Sequence, residues 1–170
     1  MALCIEWSQI QYGIDNFLSA IPKEQKLNLI VNLKDLEASS DQLKKFVEKG
    51  HYLALTASTR EELKSAYERM EVNVGVCPVF FFVARQKWSP SIVSAATLLN
   101  LKVCLWSHLL DARTAISNEQ HDNFVADLQE KRGGVIVFLT TDGSASLQQA
   151  ATTLLQVVND KTDFSFSILS

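Results

Sequence analysis

Glycine is scarce in this chain: 6 in 170 residues. No strand-like run is followed by a glycine-rich loop of the kind that cradles phosphates, so the sequence gives little support to a nucleotide or dinucleotide role. Histidine is scarcer, with 3 in the whole chain. His51, His108 and His121 share no short spacing, so no paired-histidine metal motif is present. A zinc site would have to combine His108 with carboxylates from other loops. The 3 cysteines also lack the paired spacing of a zinc or redox motif. Cys4, Cys77 and Cys104 each lie in or beside an apolar run, which predicts three buried thiols and fits a reducing compartment.

Long apolar runs are missing too. None approaches the roughly 18 residues of a membrane span, so no membrane partner is expected. There is no excess of basic residues: the net charge is -3. A nucleic-acid partner needs a basic face, and none is expected here. The opening "MALCIEW" has neither a basic n-region nor a long apolar h-region, so it does not read as a secretory signal. A cytoplasmic setting is expected, unless a leader has been removed.

What is present is a regular alternation. Apolar, β-branched or aromatic runs recur as "ALCIEW" at Ala2, "LNLIVNL" at Leu27, "YLALTA" at Tyr52, "CPVFFFVA" at Cys77, "KVCLWS" at Lys102, "GVIVFLT" at Gly134 and "FSFSILS" at Phe164. The runs are continuous, as expected for strands buried on both faces. Between them lie amphipathic faces at helical spacing: Ile10, Ile14, Phe17, Leu18 and Ile21; Leu43, Phe46 and Val47; Leu63, Ala66, Tyr67 and Met70; Ile92, Ala95, Ala96 and Leu99; Phe124, Val125 and Leu128; and Leu147, Ala150, Ala151, Leu154 and Val158. Ser39 with Gln42, Ser58 with Glu61 and Ser117 with Gln120 read as capping boxes. Ser89-Pro90 places a proline where a helix needs no donor.

Seven strands alternating with six helices predict a single α/β domain over residues 1–170 with a mainly parallel sheet. Two architectures fit: a doubly wound open sheet and an incomplete barrel of about seven strands. In both, a site would form at the carboxyl ends of the strands. The residues expected there include Glu6 and Trp7, Asn32 and Asp35, Thr56 and Arg60, Arg85, Trp106, His108 and Asp111, and Thr141 and Asp142. His108, Asp111 and a serine can be drawn as a triad. Nothing marks a nucleophile, however, and no Gly-x-Ser-x-Gly elbow is present.

Several segments, in order, resemble the NodB-type polysaccharide deacetylases. "LKKFVEKGHYLALTASTREEL" resembles the family's helix, Gly-His, strand and Asn-His-x-x-x-x-His metal motif. "SPSIVSAATLLNLKVCLWSHLLDA" is similar to its alanine-rich helix and the strand ending in Trp-Ser and acidic residues. "GGVIVFLTTDG" resembles its Leu-His-Asp-Gly strand, and "FSFSILS" its terminal strand. "ALCIEWS" falls where the family has a strand ending Phe-Asp-Asp-Gly. The resemblance implies a distorted, incomplete (β/α) barrel of about seven mainly parallel strands.

The functional positions depart from that family. Its paired aspartates, base then metal ligand, correspond to Glu6 and Trp7. Its two metal histidines correspond to Thr56 and Arg60. Arg85 lies a few residues late for the catalytic arginine. The acidic residue after Trp-Ser becomes Leu109, with Asp111 displaced. The histidine of the sixth strand becomes Thr140 or Thr141, although Asp142-Gly143 is retained. The resemblance therefore implies a deacetylase-like domain without its metal chemistry: no catalytic residue, no metal, no cofactor, and a strand-end face available to a glycan or protein partner. Trp7 is expected to fill the vacated space. Arg60 is expected to point to solvent or pair with an acid such as Glu6. The alternative is a divergent hydrolase of amide or ester bonds on carbohydrate, using Glu6, His108 or Asp111.

Overall fold

The computed structural model describes residues 1–83, 88–112, 115, 117–131, 135–141 and 146–161. They fall into two compact units, one of residues 1–27 with the described residues from Trp106 onward, the other of Asn28–Leu105.

The first unit holds three parallel strands in the order β1 (Ala2–Glu6), β7 (Ile136–Thr140) and β6 (His108–Asp111). Ala2 to Ile5 pair with Ile136 to Leu139, and His108 to Asp111 pair with Val137 to Thr140. Leu3, Cys4 and Ile5 are buried, as are Val137, Phe138 and Leu139. Burial on both faces is what makes these runs continuous rather than alternating. Helices α1 (Ile14–Ala20), α6 (Asn118–Lys131) and α7 (Leu147–Lys161) complete the unit. They bury the faces expected of them, Ile14 and Phe17, then Phe124, Val125 and Leu128, then Leu147, Ala150, Ala151, Leu154 and Val158.

The second unit holds β2 (Asn28–Val31), β3 (Tyr52–Thr56), β4 (Phe80–Phe82) and β5 (Lys102–Cys104), in the order β5-β4-β3-β2 and all parallel. Its helices are α2 (Leu33–Ala38), α3 (Ser40–Glu48), α4 (Arg60–Arg69) and α5 (Pro90–Leu98). α4 runs on into a π-helical turn, Met70–Val74, closed by Gly75 at φ 79°. Positive φ is the conformation glycine adopts without a Cβ penalty.

Several expectations need correction. The run at Lys102 forms a strand as expected, but only as far as Cys104, where its pairing with β4 ends, and a strand that was not expected begins at His108 against β7. A short helix, α2, stands where a loop was expected. It is held by a reciprocal cap: the Asn32 side chain accepts from the Asp35 N–H at 3.1 Å, and Asp35 accepts from the Asn32 N–H at 2.9 Å. The cap of α4 lies one residue late. Thr59, not Ser58, accepts from the Glu62 N–H at 3.1 Å, while the Ser58 N–H donates to the Glu62 carboxylate at 2.7 Å. Ser39 makes no side-chain cap. Ser89 does, accepting from the Ile92 N–H, with Pro90 opening α5. Cys4 is buried, but Cys77, which lies before β4 rather than in a strand, is exposed, and Cys104, on the last described strand of its row, is half-buried. The strand expected at 164–170 lies outside the described residues.

Candidate binding face

In parallel strands all carboxyl ends lie on one side, and register decides which residues reach that rim. In the first unit Glu6 ends β1, and the chain turns at once through a 3-10 turn, Trp7–Gln9. Thr140 ends β7, Thr141 follows it, and Asp111 pairs with Thr140. Glu6, Trp7, Gln9, Thr140, Thr141 and Asp111 therefore share the carboxyl rim of this unit. Trp7 points inward, with 0% of its surface exposed. Its indole N–H meets no partner among the described residues. Gln9 donates from Nε2 to Thr140 Oγ1 at 3.1 Å, leaving its buried Oε1 unpartnered.

Two residues expected on this rim lie at the other end. Ser107 N–H donates to the carbonyl of Ile136, the first residue of β7, and His108 pairs with Val137. Trp106 and His108 therefore sit at the amino side of the strands, because β6 begins where the strand from Lys102 was expected to end. Trp106 packs against Phe138, ring centroids 5.2 Å apart. His108 is held from both sides: Nδ1 meets Ser107 Oγ at 3.1 Å, and Nε2 meets the carboxylate of Asp127 on α6. Ser107 Oγ also lies 3.0 Å from both the N–H and the C=O of Ile136. These three side chains border or adjoin an open cleft of about 710 Å³ beside α6. Both imidazole nitrogens are engaged by the protein, which suits a tie between β6 and α6 better than acid–base work on a substrate. His121 on α6 is likewise satisfied, Nε2 meeting the Ala115 carbonyl at 2.7 Å.

In the second unit Thr56 ends β3 and donates to the Phe82 carbonyl at 3.0 Å. Arg60 opens α4 and is exposed. A cation there opposes the helix dipole, and Glu61 and Glu62 in the same turn offset it. Asp35, after β2, has its carboxyl pushed up by burial, opposed by the hydrogen bond from the Asn32 backbone. Arg85 and Asp142 lie outside the described residues.

The metal centre implied by the resemblance can be tested against this donor set. The three corresponding groups are an indole, a threonine hydroxyl already bonded to a carbonyl, and an exposed guanidinium. An indole N–H only donates, and a guanidinium stays protonated, so neither ligates zinc; a threonine hydroxyl is a poor ligand. Among the described residues no three His, Cys, Asp or Glu side chains gather closely enough to hold an ion. The residues present do not fit the metal.

Gln9 and Asp127 were not singled out by sequence. Asp127 meets His108 from 19 residues away on another element, and no local pattern marks that contact. Gln9 occupies a polar position of a segment legible only for its apolar face.

Among the described residues the two units carry seven parallel strands and seven α-helices, the α/β class and parallel pairing expected of an incomplete (β/α) barrel. Its structural neighbours are carbohydrate esterases of family 4, the NodB-type polysaccharide deacetylases. A family 4 carbohydrate esterase from Streptomyces lividans, solved in complex with acetate, superposes with TM-score 0.72 at 15% identity, over 100% of this chain and 92% of that one. The polysaccharide deacetylase Bc1974 from Bacillus cereus gives 0.66 at 12% identity, over 99% and 91%. A CE4 family pseudoenzyme from Bacillus anthracis gives 0.71 at 12% identity; 99% of this chain covers 63% of that one, less than two thirds of its length. No family model and no curated protein matches the sequence. At these identities the likeness concerns the fold.

Proposed function

We propose that the chain is a catalytically inactive polysaccharide-deacetylase-like domain that works as a binding module, its strand-end face taking a glycan or a protein partner. The observation that carries this reading is Trp7. At the position where the resemblance puts a metal-binding aspartate stands an indole with none of its surface exposed. Deacetylation of that type needs a metal to polarise the acetyl carbonyl and activate water. Trp7, Thr56 and Arg60 supply no ligand set for one. The reading is also supported by the pseudoenzyme among the structural neighbours. A cytoplasmic setting belongs to the same proposal, supported by the free thiols of Cys4, Cys77 and Cys104. No helix among the described residues is long and apolar enough to cross a membrane.

The test is incubation with acetylated chitin and peptidoglycan fragments, with zinc or other divalent metals added and acetate as the readout. No acetate above background is expected. Protein purified without chelator should carry far less than stoichiometric zinc by elemental analysis. Robust acetate release that disappears in Glu6→Gln overturns the proposal.

A further inference from the structure

The second unit carries a feature that the proposed function leaves unused. Past Arg69, α4 widens into the π-helical turn Met70–Val74. Such turns are rare and recur at functional sites. On this one Val72 stands 79% exposed. Beside it lies an open cleft of about 440 Å³, walled by α2, the last turns of α4 and the π-helical turn. Its residues fall between Leu33 and Asn73, inside the stretch described without a gap. The cleft lies at the opposite end of α4 from Arg60, and no strand residue lines it.

The lining holds three kinds of group. Leu33 and Val72 are aliphatic. Arg69 is a cation, and its guanidinium stands 3.9 Å from Glu37 Oε1, beyond hydrogen-bond reach. Glu37 and Glu68 are anions, and Glu68 lies 4.0 Å from Lys64, again too far for a hydrogen bond. Asn73 adds an amide that donates and accepts. A guanidinium matches a carboxylate with two parallel bonds, and a pair held as loosely as Arg69 and Glu37 leaves that fork open. The two carboxylates suit an ammonium group. No aromatic ring among the described residues lines the cleft, so a flat ring has no face to stack on. The volume lies in the range of roughly 300–1,000 Å³ that holds a small molecule. Both signs of charge beside aliphatic walls call for a small zwitterion with an aliphatic tail.

We infer that this cleft binds a free aliphatic α-amino acid, its carboxylate on Arg69 and Asn73, its ammonium on Glu37 and Glu68, and its side chain against Leu33 and Val72. The ammonium and carboxylate of such a ligand sit one carbon apart, as the opposite charges of Arg69 and Glu37 sit side by side. Bound there, the ligand replaces one loose ion pair by two charge-assisted hydrogen-bonded contacts. The inference goes beyond the proposed function and does not rest on it.

The experiment is calorimetric titration of the whole chain with leucine, isoleucine and valine at low salt. At least one should bind, with an affinity that falls as salt is raised. N-acetyl-leucine, which lacks the ammonium, and leucinamide, which lacks the carboxylate, should each bind about tenfold more weakly or worse than leucine. Arg69→Gln and Glu37→Gln should each weaken leucine binding about tenfold or more. Val72→Ser should weaken it less. Asp41→Asn, which removes an exposed carboxylate on α3, should change nothing. The Arg69 and Glu37 side chains are about half exposed, so their variants should keep the wild-type thermal unfolding and isolate the binding effect. Absence of binding by all three amino acids at millimolar concentration overturns the inference. So does binding that either blocked analogue reproduces or that Arg69→Gln leaves intact. No outcome bears on acetate release or zinc content, so this site and the inactive-domain reading fail separately.

Discussion

The two ends of the β1-β7-β6 strands use opposite chemistry. At the amino end stand the residue types associated with catalysis, Ser107, His108 and Asp127, and they engage one another. At the carboxyl end, where parallel folds expose their sites, stand Trp7, Gln9 and Thr140. There the Trp7 indole N–H and Gln9 Oε1 meet no partner among the described residues, as the Trp106 indole N–H does not at the other end. The contrast teaches that residue type is a weak guide to function until register is known. Here the reactive groups tie β6 to a helix rather than facing a substrate.

The sharpest way to break this comparison is Trp7→Ala. If Trp7 is core rather than site, urea unfolding should show a loss of about 3–5 kcal/mol, the range for removing a buried aromatic ring. A loss below about 1 kcal/mol would mean that the indole is dispensable to packing.

The amino end should respond less. His108→Ala removes the hydrogen bonds that Ser107 and Asp127 make to the ring and should cost about 1–3 kcal/mol, the range for a lost hydrogen bond with a charged partner. The Asp127 side chain is 42% exposed, which lets water recover part of the loss. The double variant His108→Ala/Asp127→Ala should be less destabilised than the sum of the singles, since the two residues act on one contact. Strict additivity in denaturant titrations would show that they do not act together.

The smallest effect belongs to an exposed pair between α6 and α7. Lys161 lies 2.6 Å from Asp122, and this hydrogen bond, with the charge behind it, holds the Asp122 carboxyl below its usual range. A depressed carboxyl contributes stability that is present above its unfolded value, about 4, and is lost as pH falls through the lower folded value. Wild type should therefore unfold slightly above Asp122→Asn at pH 7. The gap should close in acid and shrink in high salt. A gap that widens in acid would reverse the sign.

Much of this fold was legible because buried parallel strands and amphipathic helices leave strong periodic marks. β1 to β5 and β7 lie within the runs read as strands, and the Leu147 to Val158 face is buried as read. The losses came at edges and ends. β6, half-exposed and with Leu109 50% open to solvent, carries no continuous apolar run to announce it. Missing it put His108 on the wrong rim. α2 is only six residues long, yet its Asn32-x-x-Asp35 cap was in plain view. Thr59 and Ser58 are both plausible caps one residue apart, and only backbone geometry chooses between them. Of the rim residues, Trp7 was expected to fill space and is buried, and Arg60 was expected to reach solvent and is exposed. The Gln9 contact to Thr140 joins residues far apart in the chain, which no local pattern encodes.

The sealed indole of Trp7 also acts as a ratchet on the sequence. Exchanging it for the carboxylate that the resemblance would place there is no simple swap of donor for ligand. It opens a void of indole size and puts an ionised group where none of the surface meets water. The indole therefore ties this position to packing: a carboxylate placed there alone weakens the fold.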